Sequence, residues 1–240
     1  MSSGNAGSAA TLGSGARHRP TVVAHTGQLP DAGSFVTADA AGTPLLVVRQ
    51  DDGSVRALAN VCRHRGARVE TEAAGRRKMF ACPYHRWCYK RTGEIRSITF
   101  DDGFSGVPKA GLGLVEHPSA EAGNLVWVVP DRSEPSGLAV PAELARAGLV
   151  RGETLELDGP WTEVEARLTS ALAAQMLTPG TFASWSRGWA EVITVRPAGA
   201  RLDRAVAGFW LLADTAAGAS PAAAGARWDE RVARLRAVVS

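Results

Sequence analysis

Four residues able to hold a metal fall in two short words of this chain. "NVCRHRGA" supplies Cys62 and His64, and after a gap of seventeen residues "CPYHRWCY" supplies Cys82 and His85. If these side chains meet on one centre, two distant segments are pinned at one point, and metal binding becomes part of the folding free energy. All three cysteines lie within 27 residues, unlike the dispersed, even-numbered set of a disulfide framework. A reducing cytoplasm is the expected compartment. Zinc fingers group their cysteines in one half and their histidines in the other. Here each half offers one of each, and the spacing leaves both an iron centre and a structural zinc open.

The residues around these words read as β structure. "SFVTAD" (34–39), "PLLVVRQ" (44–50), "SVRALAN" (54–60), "KMFAC" (78–82), "EIRSI" (94–98) and "NLVWVVP" (124–130) are short apolar or alternating runs between turn signals. "QDDGS" (50–54) predicts a hairpin with a type I′ turn, and "KRTGEI" (90–95) a second Gly turn. An antiparallel sandwich or barrel follows over 20–131, with the metal-binding words in loops between strands. The Ser/Gly/Ala-rich residues 1–19 lack an apolar stretch and read as a disordered tail, not a signal peptide.

"DRSEPSGLAVP" (131–141) opens a linker, taken over 132–152, and a small α+β domain is expected over 153–240. Its predicted elements are a short helix in 141–148, a strand at 153–159, an amphipathic helix over 161–176, strands at 190–197 and 206–214, and a closing helix over 226–239. The first long helix places Trp161, Val164, Leu168, Leu172 and Met176 on one stripe. No run is long and apolar enough to span a membrane.

The chain carries +3 overall, but Val61–Arg96 holds ten basic residues against three acidic ones. That segment is therefore +7, and the remainder must be −4. Such a field steers an acidic partner, or it is simply a solvated basic face. Without a basic helical stripe or an aromatic stacking platform, nucleic acid is not an expected partner.

The words "CRHRGA" and "CPYHRW" closely resemble the two cluster loops of Rieske iron–sulfur proteins. That resemblance implies a [2Fe–2S] cluster, with Cys62 and Cys82 on one iron and His64 and His85 on the other. Neutral imidazoles in place of two thiolates make such a cluster easier to reduce, at roughly −150 to +300 mV against roughly −400 mV for all-cysteine plant-type centres. Cys88 is then left over as a small packed residue. Tyr89 either donates to a cluster sulfur or simply packs in its strand, and Pro83 stiffens the loop. His18, His25 and His117 read as surface or satisfied histidines.

Over residues 20–130 the resemblance is to the α subunits of ring-hydroxylating oxygenases and their monooxygenase cousins, which usually read Cys-Pro-Tyr-His-Gly-Trp. Arg86 takes the place of that Gly, so strain in the loop or a cation beside the cluster is expected. With Arg65, Trp87 and Tyr89 it makes up the candidate tuning set. Those oxygenases also carry a mononuclear iron on two histidines and a carboxylate. "GPWTEVEARLTSAL" (159–172) echoes the helix that precedes that motif, yet residues 118–240 contain no histidine and no cysteine. No mononuclear iron is expected on this chain, and the second domain reads as a reduced, helix-grip-like remnant of a catalytic domain.

Three functions follow. The first is an electron-transfer component fed by a reductase or ferredoxin and emptied by a separate catalytic oxygenase subunit. The second is a stand-alone oxygenase-like enzyme whose pocket is lined by Trp185, Trp189, Phe209 and Trp210. The third is a non-redox or sensor subunit.

Overall fold

The computed structural model describes residues 19–99, 106, 108–171, 174–198 and 201–239. Nearly all of the tail expected at the N-terminus lies outside the described residues.

The first half is built from short antiparallel strands. They are β1 (Thr21–His25), β2 (Ser34–Ala40), β3 (Thr43–Arg49), β4 (Val55–Ala59), β5 (Ala74–Arg76), β6 (Met79–Ala81), β7 (Cys88–Lys90), β8 (Ile95–Ser97), β9 (Glu116–His117), β10 (Ser119–Ala122) and β11 (Leu125–Val128). They form three sheets, ordered β1-β11-β10, β5-β2-β3-β4-β9 and β6-β7-β8. Strand β3 shows how the five-stranded sheet is buried on both faces. Leu45 and Val47 pack toward β1 and β11, whereas Leu46 and Val48 pack toward Phe80, Trp87 and Tyr89. Alternate side chains leave a strand on opposite faces, so one apolar run serves two cores.

The β3–β4 hairpin forms where "QDDGS" predicts it, but not with a type I′ turn. Only Gly53 has positive φ (83°), and the bonds Gly53 N→Gln50 O and Gln50 N→Ser54 O close a three-residue loop. This is a type I turn followed by a left-handed Gly, the usual device when the loop has three residues instead of two. "KRTGEI" repeats it, with Gly93 at φ 89° and bonds Gly93 N→Lys90 O and Lys90 N→Glu94 O.

The second half contains α1 (Ala142–Arg146), β12 (Gly148–Asp158), α2 (Trp161–Ala171), β13 (Gln175–Thr178), β14 (Thr181–Ser186), β15 (Trp189–Ala198), β16 (Arg201–Ala213) and α3 (Ala224–Val239). Its strands make one antiparallel sheet ordered β12-β16-β15-β14-β13. Both α1 and the start of β12 fall inside the stretch expected to be linker. Strand β12 extends so far back because its residues pair with β16 as far as Gly148 opposite Ala213. The helix expected over 161–176 ends at Ala171, and Met176 lies exposed on the edge strand β13. Leu172 lies outside the described residues.

This sheet too is covered on both faces. Phe209 and Leu211 point to α2 and α3, where Val164, Leu168, Trp228 and Leu235 are buried. Trp210 and Leu212 point the other way, into a core shared with Val22, Leu125 and Trp127 of the first half and Leu144 and Ala147 of α1. A hydrogen bond from Trp210 Nε1 to Gln28 Oε1 (2.8 Å) crosses the same junction. The four aromatics expected to line one pocket are therefore divided: Phe209 and Trp189 lie on the helix side, Trp210 on the other, and Trp185 is partly exposed.

Candidate metal centre

The two metal-binding words occupy loops of the same backbone shape. In the first, between β4 and β5, Cys62 N donates to Ala67 O (2.8 Å) and Gly66 N to Cys62 O (2.9 Å). In the second, joining β6 to β7, Cys82 N donates to Trp87 O (2.9 Å) and Arg86 N to Cys82 O (3.0 Å). Each turn needs a left-handed residue four positions after its cysteine, provided by Gly66 (φ 76°) and by Arg86 (φ 59°). The first loop is also clamped from behind by Asn60, which is fully buried. Its Nδ2 donates to Glu70 O (2.8 Å), and its Oδ1 accepts from Val69 N and Glu70 N (3.0 and 2.9 Å). Sequence reasoning passed over Asn60; a side-chain amide two residues before the cysteine was its only signal.

These turns aim like side chains at one another. Cys62 and Cys82 are both buried, unbridged, and close enough that Cys82 acts on the Cys62 thiol. Burial pushes the Cys62 thiol up. The Tyr89 hydroxyl and the His64 backbone pull it down, and neighbouring Cys82 pushes it up again. In front of them the imidazoles of His64 and His85 meet edge to face with ring centres 4.6 Å apart. Trp87, buried, stacks on His64 at 5.0 Å and 8°, and Tyr84 leans on His85 at 4.1 Å. His64 is held below the usual histidine range, first by desolvation and then by the positive charges of His85 and Arg65.

Tyr89 is wholly buried behind the thiols, its Oη 3.2 Å from Cys62 Sγ. The same oxygen accepts a hydrogen bond from Arg63 N (3.0 Å). Burial, then Cys62, hold its phenol above the usual tyrosine range, so it keeps its proton. Cys88 faces away, with its Sγ donating to Arg86 O at 3.4 Å. His25 and His117 are buried elsewhere, at the end of β1 and in β9.

Eight of the ten basic residues of the segment fall into two groups. Arg76, Arg77, Lys90 and Arg91 pair with Asp31, Glu70, Glu94 and Asp51. Arg63, Arg65, Arg68 and Arg86, on the loops themselves, are exposed and have no carboxylate partner among the described residues.

The donor chemistry fits a two-iron cluster. Two thiols side by side and two imidazoles side by side would give each of two irons a pair of protein ligands, whereas one tetrahedral zinc needs all four converging. Among the described residues no three Cys, His, Asp or Glu side chains form a group that suits a single ion.

Residues 19–108 match the Rieske [2Fe-2S] domain family, a domain that binds a [2Fe–2S] cluster. Over about 100 residues the chain is similar to the large subunits of bacterial dioxygenases. The large oxygenase component of the naphthalene 1,2-dioxygenase system of Ralstonia sp. is 42% identical over 100 residues, 41% of this chain and 22% of that protein. The α subunit of biphenyl 2,3-dioxygenase of Rhodococcus jostii (strain RHA1) is 39% identical over 96 residues, 40% of this chain and 21% of that protein. The match thus spans about a fifth of the length of these relatives. Among solved structures, the apo form of the quaternary ammonium Rieske monooxygenase CntA aligns with a TM-score of 0.64 at 18% identity, covering 83% of this chain and 69% of the other. Naphthalene 1,2-dioxygenase with indole bound aligns at 0.55 and 19%, covering 82% and 66%. These alignments extend through the second half and establish its fold.

Proposed function

We propose that this chain is the electron-transfer component of a Rieske oxygenase-type system, with Cys62 and Cys82 holding one iron and His64 and His85 the other. The observation that carries the reading is the pairing: thiols meet behind, imidazoles meet in front, on two loops of one shape. When bound, the cluster supplies a one-electron carrier. The protein's part is to keep the sulfur side dry and hydrogen-bonded through Trp87 and Tyr89, and to leave the histidine side half-exposed for a partner's approach. Arg63, Arg65, Arg68 and Arg86 ring that side, which favours an acidic donor such as a ferredoxin or reductase domain.

The acceptor in this proposal is the mononuclear iron of a separate oxygenase chain, because residues 118–240 offer no histidine to hold one. A stand-alone enzyme with an aromatic pocket is not favoured, since the aromatics expected to line it are divided between two faces of the sheet. The cytoplasmic placement rests on three unbridged cysteines.

Anaerobic purification followed by iron and acid-labile sulfide analysis tests the ligand set. Two of each per chain are expected, with both lost in Cys82→Ser; one zinc and no sulfide overturns it. For the acceptor, dithionite-reduced protein should be reoxidised by a histidine-bearing oxygenase chain at a rate that falls with salt. Hydroxylation of a substrate by the chain alone overturns that part.

A further inference from the structure

On its helix side, the second sheet carries a cleft of about 220 Å³ between the β14–β15 hairpin and α3. Side chains alternate along β14. Phe182 packs with the helices and Ala183 with the core shared between the halves, so Ser184 and Ser186 face α3 and Trp185 faces away. Arg227, Arg231 and Arg234 line the cleft from α3, four and three residues apart and so on one helix face. Glu191 faces them from β15, buried, the one carboxylate among the described residues of the lining.

Glu191 fixes these arginines in place without neutralising them. Arg231 Nε lies 2.6 Å and Arg227 Nη2 3.6 Å from its Oε1, and its Oε2 meets the Ser184 hydroxyl at 3.4 Å. Trp189 is buried beneath Arg227, whose guanidinium lies 5.1 Å over the ring. Arg234 is exposed and tied to the end of α2 through Nη2 and Ala171 O (3.3 Å). Three guanidinium groups against one carboxylate leave two positive charges in excess. None of the three pairs with another carboxylate among the described residues, and Arg227 Nε is buried without a hydrogen-bond partner. Partly buried cations are stable when their charge and their donors are met, and the lining meets neither in full.

We propose that this cleft binds a phosphoryl dianion, either free phosphate or the head of a phosphate monoester. A dianion cancels the two excess charges, whereas a carboxylate or a phosphodiester leaves one unmet. Its three or more acceptor oxygens point in different directions, which suits forked donors converging from separate turns of a helix. The Ser186 hydroxyl, exposed on the opposite wall, adds a neutral donor from the sheet. No histidine or cysteine lines the cleft, so this is a binding site without a redox part, independent of the cluster assignment.

Titration calorimetry on the full chain tests it at fixed ionic strength and pH 8, above the second ionisation of a phosphate monoester at about 6. The probes are inorganic phosphate, glycerol phosphate, acetate, and dimethyl phosphate, a monoanion with the same core. Phosphate or glycerol phosphate should bind one to one, about tenfold or more tighter than dimethyl phosphate or acetate. Whichever of those two binds tighter names the source of the phosphoryl group. Arg234→Gln alters an exposed position and should keep the fold, checked by circular dichroism, while weakening the tighter ligand about tenfold. Arg236→Gln makes the same charge change on α3 outside the lining and should leave affinity unchanged. Dimethyl phosphate or acetate binding as tightly, Arg234→Gln without effect or matched by Arg236→Gln, or no saturable heat at all each overturns the proposal.

Discussion

Gly66 and Arg86 are the same residue of the same turn. Each lies four places after a cysteine, donates its amide to that cysteine's carbonyl, and has a left-handed backbone. Only one of them is a glycine. An L residue pays about 1 kcal/mol or more in that region, so Arg86 stores strain that Gly66 avoids. Arg86→Gly should therefore stabilise the protein by about 1 kcal/mol, and Gly66→Ala should destabilise it by about the same. A Cβ at Gly66 meets nothing within 4 Å, so the second change tests backbone strain alone. Urea midpoints measure both.

The same substitution removes an exposed cation from the rim of the site. Voltammetry of Arg86→Gly should give a lower reduction potential than the parent, because a nearby positive charge favours the reduced form. An unchanged potential together with unchanged salt dependence of partner binding leaves Arg86 no electrostatic role.

Tyr89→Phe deletes the hydroxyl shared by Cys62 Sγ and Arg63 N. With Arg63 N donating to the oxygen, and with no proton on Cys62 Sγ if it holds iron as proposed, the phenol proton is the one that would be given to the sulfur. Its loss should lower the reduction potential and cost about 1 kcal/mol of stability. A potential equal to the parent's shows that Tyr89 only packs.

Buried His25 accepts a hydrogen bond at Nδ1 from Gly27 N (2.9 Å), while Nε2 is buried without a partner. Burial lowers its pKa to about 4, against a smaller upward pull from the nearby Ala147 carbonyl. Below its ordinary value of 6.5 the unfolded chain takes up a proton that the folded chain refuses. Stability should therefore fall as pH drops from 6.5 toward 4, by up to about 3 kcal/mol. His25→Asn keeps an acceptor for Gly27 but cannot titrate. Comparing its urea midpoints with the parent's across that range should show a flatter slope.

Trp210→Phe removes the hydrogen bond to Gln28 and part of the core between the halves. A loss of about 1–3 kcal/mol is expected. Cluster absorbance reports the first half and the helical circular dichroism of α2 and α3 the second, and both should shift together in one transition. Two separated transitions contradict a shared core.

The two words that carry the proposed ligands stand out in the sequence because their chemistry is local: residue type and spacing carry it with little help from tertiary structure. The left-handed place at Arg86 was legible for the same reason, as the position of an expected Gly. What stayed hidden depends on partners far along the chain. "LTSALAAQM" is apolar at intervals that suit a helix, and only pairing of Gln175 and Met176 with Ala183 and Phe182 makes its end a strand. Phe209 and Trp210 are neighbours in sequence, and nothing local says that both faces of β16 are buried, which puts them in different cores. The clustering of three arginines about Glu191 needs helix and sheet together before it exists at all.

The Pro/Ser/Gly stretch after Asp131 looks like the place to cut this chain, and the core around Val22, Leu125, Trp127 and Trp210 says otherwise. A fragment ending there takes three of those side chains away from Val192, Trp210 and Leu212 and turns them toward water. An isolated electron-carrying module made from this chain needs new polar residues on β1 and β11, because that face was shaped to be covered.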